Sequence, residues 1–284
     1  MSQYYYLVTG LPELTLEDNK LNHTVADFKT EFYPLLSSSD KKLVDFFYLQ
    51  YDNRNLLALL KDNAADTDPR GLFKAERFLD VIRQYKEDDG VISNTQGLPK
   101  YMIAFIVDYF EQKESDAAVD EIALEDKLSA HYYSYAMKCG NRFVSSWFEF
   151  NLNVKNILSA INARRFKLEV PSVIVGDTPV CEALKTSNAR DFGLVGELDY
   201  LDELLKIGET HNILEREKKI DQLKWKWMED KTFFEYFSIE RLYVFLLQVE
   251  LVERWLSLDK DKGNKMFRDI IASFKNDVKV PVEI

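Results

Sequence analysis

The sequence predicts an all-α protein, and three observations carry that prediction. Only 10 of the 284 residues are Gly and 7 are Pro, leaving few of the breaks that many strands and tight turns require. Apolar residues recur at helical spacing along most of the chain. The clearest case is the stretch from Trp147 to Phe166, WFEFNLNVKNILSAINARRF. There Phe150, Val154, Ile157, Leu158 and Ile161 fall on one helical face, and Arg164-Arg165 supply the cationic end that a helix C-terminus favours. Finally, 46% hydrophobic and 30% charged residues suffice for a large core beneath a well-solvated surface.

Taken in order, the elements read as follows. YYYLV at 4–8 is aromatic and β-branched and is expected to be extended. Gly10 and Pro12 break the chain, and Thr15 with Asp18 reads as a helix start. Val25, Phe28, Phe32 and Leu36 space as the apolar face of that helix, which Pro34 kinks or ends. Ser37-Ser38-Ser39-Asp40 opens a second helix that carries Leu43, Phe46, Phe47, Leu49, Leu56, Leu57 and Leu60. DTDPRG at 66–71 is a linker. A helix follows over Phe73 to Tyr85, and Pro99 opens another whose Met102, Ile103, Phe105, Ile106, Val107, Tyr109 and Phe110 leave it buried on nearly every side. A long helical region runs from Glu121 to Phe166 with only Gly140 interrupting it. Val170 to Gly196 lacks helical period and crowds its Pro and Gly, so it reads as a domain boundary or functional loop. Helices resume over Glu197 to Ile207, Ile213 to Met228 and Ser238 to Leu258. A short closing helix carries Phe267, Ile270, Ile271 and Phe274, and the tail KVPVEI is extended.

Charge and motifs exclude several functions. The balance of 37 basic and 48 acidic residues gives a net charge of −11, which disfavours binding to a phosphate backbone. The LYVFLLQVELV run at 242–252 is too short to span a bilayer and acids follow it, so a buried central helix is expected. The start of the chain lacks the basic head and apolar run of a signal peptide. Cys139 and Cys181 are too far apart in sequence for a metal or redox motif. The expected location is therefore cytosolic. His23, His131 and His211 share no ligand spacing, so neither zinc nor a His-activated nucleophile is expected. Asp191-Phe192-Gly193 spells a kinase tripeptide without the glycine-rich loop, lysine strand or catalytic loop of a kinase, and reads as a turn around a buried Phe192. There is no Walker A loop. The adjacent acids Asp88-Asp89 and Asp199/Asp202/Glu203 read as solvated helix faces. Trp225, Trp227, Phe233, Phe234, Tyr236 and Phe237 cluster with Glu229 and Asp230 among them. Packing between helices is the default for this cluster, with an exposed partner patch as the alternative.

A weak internal repeat runs through the chain. Phe46–Leu60 slides onto Trp147–Ile161 at an offset of 101, pairing Arg54 with Lys155, Asn55 with Asn156, Leu56 with Ile157 and Leu57 with Leu158. Asn53 stands against Val154 and breaks the stripe. Two amphipathic helices can also match this far by chance. A real repeat implies a duplicated helical unit of roughly a hundred residues.

Asp52-Asn53-Arg54-Asn55-Leu56-Leu57 and Asn153-Val154-Lys155-Asn156-Ile157-Leu158, the second followed by Arg164-Arg165, resemble the recurrent helix of the C-type subunit family of A/V-type rotary ATPases, whose vacuolar members are the d-type subunits. Glu250-Leu251-Val252-Glu253-Arg254-Trp255-Leu256 is similar to a more distant third copy. YYYLVTGLPEL at the start and NARDFGL at 188–194 resemble a bacterial family of formerly unknown function that is itself similar to these C-type subunits. Asn153 departs from the family's acid, and Lys61-Asp62 from its basic pair.

The resemblance implies an all-α fold of three similar helical bundles arranged as a cup. The expected bundles are 1–110, 111–196 (ending in the irregular loop) and 197–284. It implies a non-catalytic subunit that couples the central stalk to the membrane rotor ring in proton or sodium transport. Its partners would be central-stalk subunits and the rotor ring, which would hold it at the membrane periphery. No cofactor, metal or nucleic acid is expected. Arg164, Arg165 and Arg190, near the irregular middle segment, are the candidate partner-contact residues, unless they cap helices or pair with local carboxylates. Two other readings stay open: a helical adaptor for another partner, and a hydrolase or transferase using Asp177 or Asp191 of the 170–196 loop.

Overall fold

The structure, a computed structural model, describes residues 4–114 and 121–258. Every regular element among them is helical. The α-helices are α1 (Tyr5–Thr9), α2 (Val25–Asp27), α3 (Ser38–Lys61), α4 (Ala75–Glu87), α5 (Lys100–Glu114), α6 (Glu121–Ala136), α7 (Arg142–Phe166), α8 (Pro179–Thr186), α9 (Leu201–Gly208), α10 (Ile213–Lys231) and α11 (Ile239–Ser257). The expected closing helix around Phe267 and the extended tail lie outside the described residues.

Local chemistry sets most of the starts. Ser37 caps α3 by accepting the Asp40 N–H, Asn141 caps α7 at Val144, Thr178 caps α8 at Cys181, and Asn212 caps α10 at Glu215. α7 ends where Lys167 turns left-handed at φ 56°, just after Arg164 and Arg165. The long region from Glu121 divides into α6 and α7 at a turn that includes Gly140 at φ +80°.

Three local expectations are corrected. YYYLV is helical rather than extended, because the N–H of Tyr4 bonds to Phe237 O at 2.7 Å and anchors α1 against the chain before α11. Thr15 and Asp18 do bond to each other, at 2.9 and 2.8 Å, but close only a turn. The helix start lies instead at Thr24, where Asp27 completes a reciprocal capping box. From there the chain passes through a π-helical stretch, Phe28–Phe32, and a 3₁₀ turn, Tyr33–Leu35, so Pro34 closes the segment as expected. The third correction is α8, inside the segment expected to be irregular. Eight residues are too few to show helical period, though Thr178-Pro179 is a readable start.

Packing proceeds largely between sequence neighbours. α3 packs on α4 and α6, α4 on α5, α5 on α6, and α6 on α7. α7 then carries α8 and α9, α9 meets α10, α10 meets α11, and α11 returns to α2. One continuous set of buried apolar side chains runs from Tyr4 to Val252. The helix α11 lies at its centre: Leu242 to Leu247, Val249, Leu251 and Val252 are all buried. No helix of the described residues is long and apolar enough to cross a membrane.

Candidate functional site: three helix-borne polar clamps

Along α3 and α7 the paired positions of the repeat are buried alike, Tyr51/Leu152 through Leu59/Ala160, except where exposed Arg54 meets half-buried Lys155. Asn53, which breaks the apolar stripe, is buried because its Oδ1 accepts the Tyr101 hydroxyl at 2.7 Å. The two helices also do the same thing with their polar residues.

On α3, Asn55 Nδ2 donates to Asp68 O at 3.0 Å and its Oδ1 accepts the Asp68 N–H at 2.7 Å. On α7, Asn156 Nδ2 donates to Val175 O at 2.7 Å and its Oδ1 accepts the Val175 N–H at 2.9 Å. Each asparagine thus pairs with both backbone groups of one residue in the loop after its own helix. Only a carboxamide offers a donor and an acceptor side by side, which gives the shared Asn a physical reason.

The residue three positions earlier differs between copies. Asp52 accepts the N–H groups of Leu72 and Phe73 at 2.9 and 3.1 Å, while Lys29 Nζ donates to the carbonyls of Arg70 and Gly71. Gly71 is needed for that approach, since a Cβ there would lie 2.5 Å from Asp52 Oδ1 and 2.9 Å from Asn55 Nδ2. Burial pushes the Asp52 carboxyl up to about 6, against the two N–H bonds and the charge of Lys29. Asn153 instead donates to the Tyr200 hydroxyl at 3.1 Å, and its Oδ1 has no partner among the described residues. The second loop is braced by Cys181, whose thiol donates to Val175 O at 3.3 Å.

Glu250 and Glu253 of α11 repeat the spacing with two acids. Glu253 Oε2 accepts the Val25 N–H at 2.8 Å, at the N-terminus of α2, where a carboxylate meets free N–H groups and the positive dipole end. Its other oxygen faces Arg70 Nη1 at 3.5 Å. Arg70 in turn pairs with Asp68 and lies 4.3 Å over the Tyr51 ring, so the first and third clamps are joined. Glu250 has Gln50, Arg54, Lys224 and Arg254 around it. Burial raises the Glu250 carboxyl and lowers the Lys224 amine, and the attraction between the two opposes both shifts. Behind them Asp221 is fully buried, taking hydrogen bonds from Arg254 and, at 2.8 Å, from Trp255 Nε1. Lys224 and Asp221 carry no sequence signal that links them to this cluster. They lie 26 and 29 positions before Glu250 (250 − 224; 250 − 221) on a different helix.

The three candidate contact arginines come together at one corner. Arg164 donates to the carbonyls of Ser187 and Ala189 at 2.6 and 2.5 Å, and its guanidinium lies 3.8 Å from the Phe192 ring centroid. Phe192 is buried at φ +58°, the centre of the expected turn. Arg165 donates to Gly208 O at the end of α9, and Arg190 pairs with Glu209 at 2.6 Å. Arg164 holds the 187–194 turn to the end of α7, Arg165 holds the end of α9 there, and Arg190 ties the turn to Glu209 just after α9, while Arg165 and Arg190 remain exposed.

Asn55, Asn156, Asp52 and Glu253 are engaged by backbone N–H and C=O groups. His23, in the bend before α2, lies 3.0 Å from Glu31, and His131 of α6 lies 3.7 Å from Asp108 of α5. Among the described residues no three His, Cys, Asp or Glu side chains gather as a metal site. The aromatic cluster divides: Trp225 and Trp227 are buried, with Trp227 stacked on Phe150 at 4.7 Å, whereas Phe233, Phe234 and Tyr236 are exposed.

Fold and clamps together define an all-helical protein with polar pairs recurring at equivalent helix positions. The chain belongs to the family described as "Protein of unknown function (DUF2764)", which it matches over residues 1–278. No curated protein and no solved structure matches it.

Proposed function

We propose that the chain is a non-catalytic component of a V/A-type rotary ATPase that couples the central stalk to the membrane rotor ring. In this reading its helices form three similar bundles arranged as a cup, and proton or sodium transport depends on the torque it passes on. The observation that carries the proposal is the repeated clamp. The acid-or-amide pairs that resemble the C-type subunits sit at equivalent buried positions of α3 and α7, and both asparagines grip their loops through the same two bonds. A duplicated, internally braced helical unit suits a part that must transmit force without deforming. The corner of Arg164, Arg165 and Arg190 is the proposed contact with the central stalk.

Affinity purification of the tagged chain from its native host tests this. Co-purification of central-stalk and rotor-ring proteins, and loss of ATP-driven ion transport on deletion, are expected. Recovery of the chain without any other ATPase component would overturn the proposal. A helical adaptor with another partner is the second reading, favoured by the exposed aromatic side chains beside α1.

A further inference from the structure

The start of α1 and the turn between α10 and α11 form one surface. The Tyr4 N–H bonds to Phe237 O, and the rings of Tyr5 and Phe237 lie 4.4 Å apart. Tyr6 is 95% exposed and Phe234 81%, and Tyr5, Phe233 and Tyr236 are also open to solvent. Phe233 and Phe234 meet edge to face at 4.9 Å, so each ring satisfies part of the other and leaves area outward. Single exposed apolar residues need no explanation, but five aromatics around one backbone junction do.

The charge beside the patch selects the occupant. Asp230 in the last turn of α10 and Glu235 within the turn are exposed acids, and so is Glu229, one of whose oxygens accepts the Trp225 Nε1–H at 2.9 Å. The neighbouring Lys231 is an exposed cation 5.8 Å over the Trp227 ring, one positive charge against these three acids. An acid-flanked patch on a chain of net charge −11 repels its own copy and an anionic membrane alike. Exposed tyrosine and phenylalanine faces beside carboxylates attract ammonium and guanidinium groups, by ring quadrupole and by ion pairing. We propose that this surface, Tyr5, Tyr6, Phe233, Phe234 and Tyr236 with Glu229, Asp230 and Glu235, docks a basic amphipathic helix of a partner protein. The proposal does not depend on the rotary-ATPase reading.

The test is fluorescence anisotropy on the full chain with a labelled synthetic Leu/Lys amphipathic peptide, beside the same peptide with Glu in place of Lys. Binding of the Lys peptide is expected to weaken at least tenfold in a Phe233→Ser/Phe234→Ser variant. It should weaken to a similar degree, with loss of salt dependence, in a Glu229→Gln/Asp230→Asn/Glu235→Gln variant. An Asp88→Asn/Asp89→Asn control, which removes exposed acids from another helix end, should bind as the unaltered chain does. The substituted side chains are exposed, and an unchanged melting temperature checks that each variant folds. Equal weakening in the control would assign binding to overall charge and overturn the proposal. So would failure of the Lys peptide to bind, equal binding of the Glu peptide, dimerisation abolished by the Phe variant, or binding of the patch to phosphatidylserine vesicles.

Discussion

Replacing Asn156 with alanine removes both bonds to Val175 in a place that water reaches poorly, since Asn156 is fully buried and Val175 nearly so. The Val175 N–H then has no replacement acceptor, at a cost of about 1–3 kcal/mol. Its carbonyl keeps the Cys181 thiol at 3.3 Å, so that side of the loss is smaller, about 0.5–1 kcal/mol. The sum is roughly 1.5–4 kcal/mol. The equivalent change at Asn55 strips the same two bonds from Asp68, whose side chain is only 23% exposed but whose loop borders solvent through Arg70. Water can take up part of that loss, and about 1–2 kcal/mol is expected there. Urea denaturation measures both values, and amide exchange at Val175 localises the effect. Asn156→Asp keeps the acceptor but loses the donor and buries a charge, so it should be no better than alanine. An Asn156→Ala loss under about 0.5 kcal/mol, or unchanged protection of the Val175 amide, would refute the clamp argument.

Asp52 has a folded pKa of about 6 against an ordinary value of 3.8, so its contribution to stability is complete below pH 3.8 and is lost as pH rises through 6. The stability difference between the unaltered chain and Asp52→Asn should therefore fall by about 3 kcal/mol between roughly pH 3.5 and 7.5, as read from denaturation curves at each pH. Gly71→Ala drives a methyl group into Asp52 and Asn55 and should cost about 1–3 kcal/mol in the same assay. Arg164→Ala removes two carbonyl bonds and the stack on Phe192, for about 1–2 kcal/mol, and should open the 187–194 turn to limited proteolysis. Arg164→Lys keeps the charge without the planar stack and should recover only part of that loss.

The helices are legible in the sequence where a start signal or a sustained apolar run marks them. Ser37 before α3, Asn212 before α10 and the Leu242–Val252 run in α11 are readable without any tertiary information. The misread stretches are local sequences decided by distant partners. YYYLV prefers strand by composition, yet α1 forms where Tyr4 meets Phe237. Thr15–Asp18 and Thr24–Asp27 look alike as capping pairs, but the first is followed by Leu16, only partly buried, and the second by Val25 and Phe28, both fully buried. The repeated Asn is visible as an identity at an offset of 101, but its meaning requires the positions of Asp68 and Val175. The charge cluster around Glu250 is invisible in sequence. Its charges are gathered from α3, α10 and α11, and helix-surface charges in sequence resemble one another.

The bond from Val25 to Glu253 joins positions separated by 228 residues. During synthesis the N-terminus of α2 must wait for nearly the whole chain before its carboxylate partner exists. At about 5–20 residues per second that delay is on the order of 10–50 s. The first clamp, by contrast, can close as soon as the loop holding Asp68 follows α3 out. The chain is thus suited to closing its first clamp early, with the opening segment fastened last by the helix that lies at the centre of the finished core.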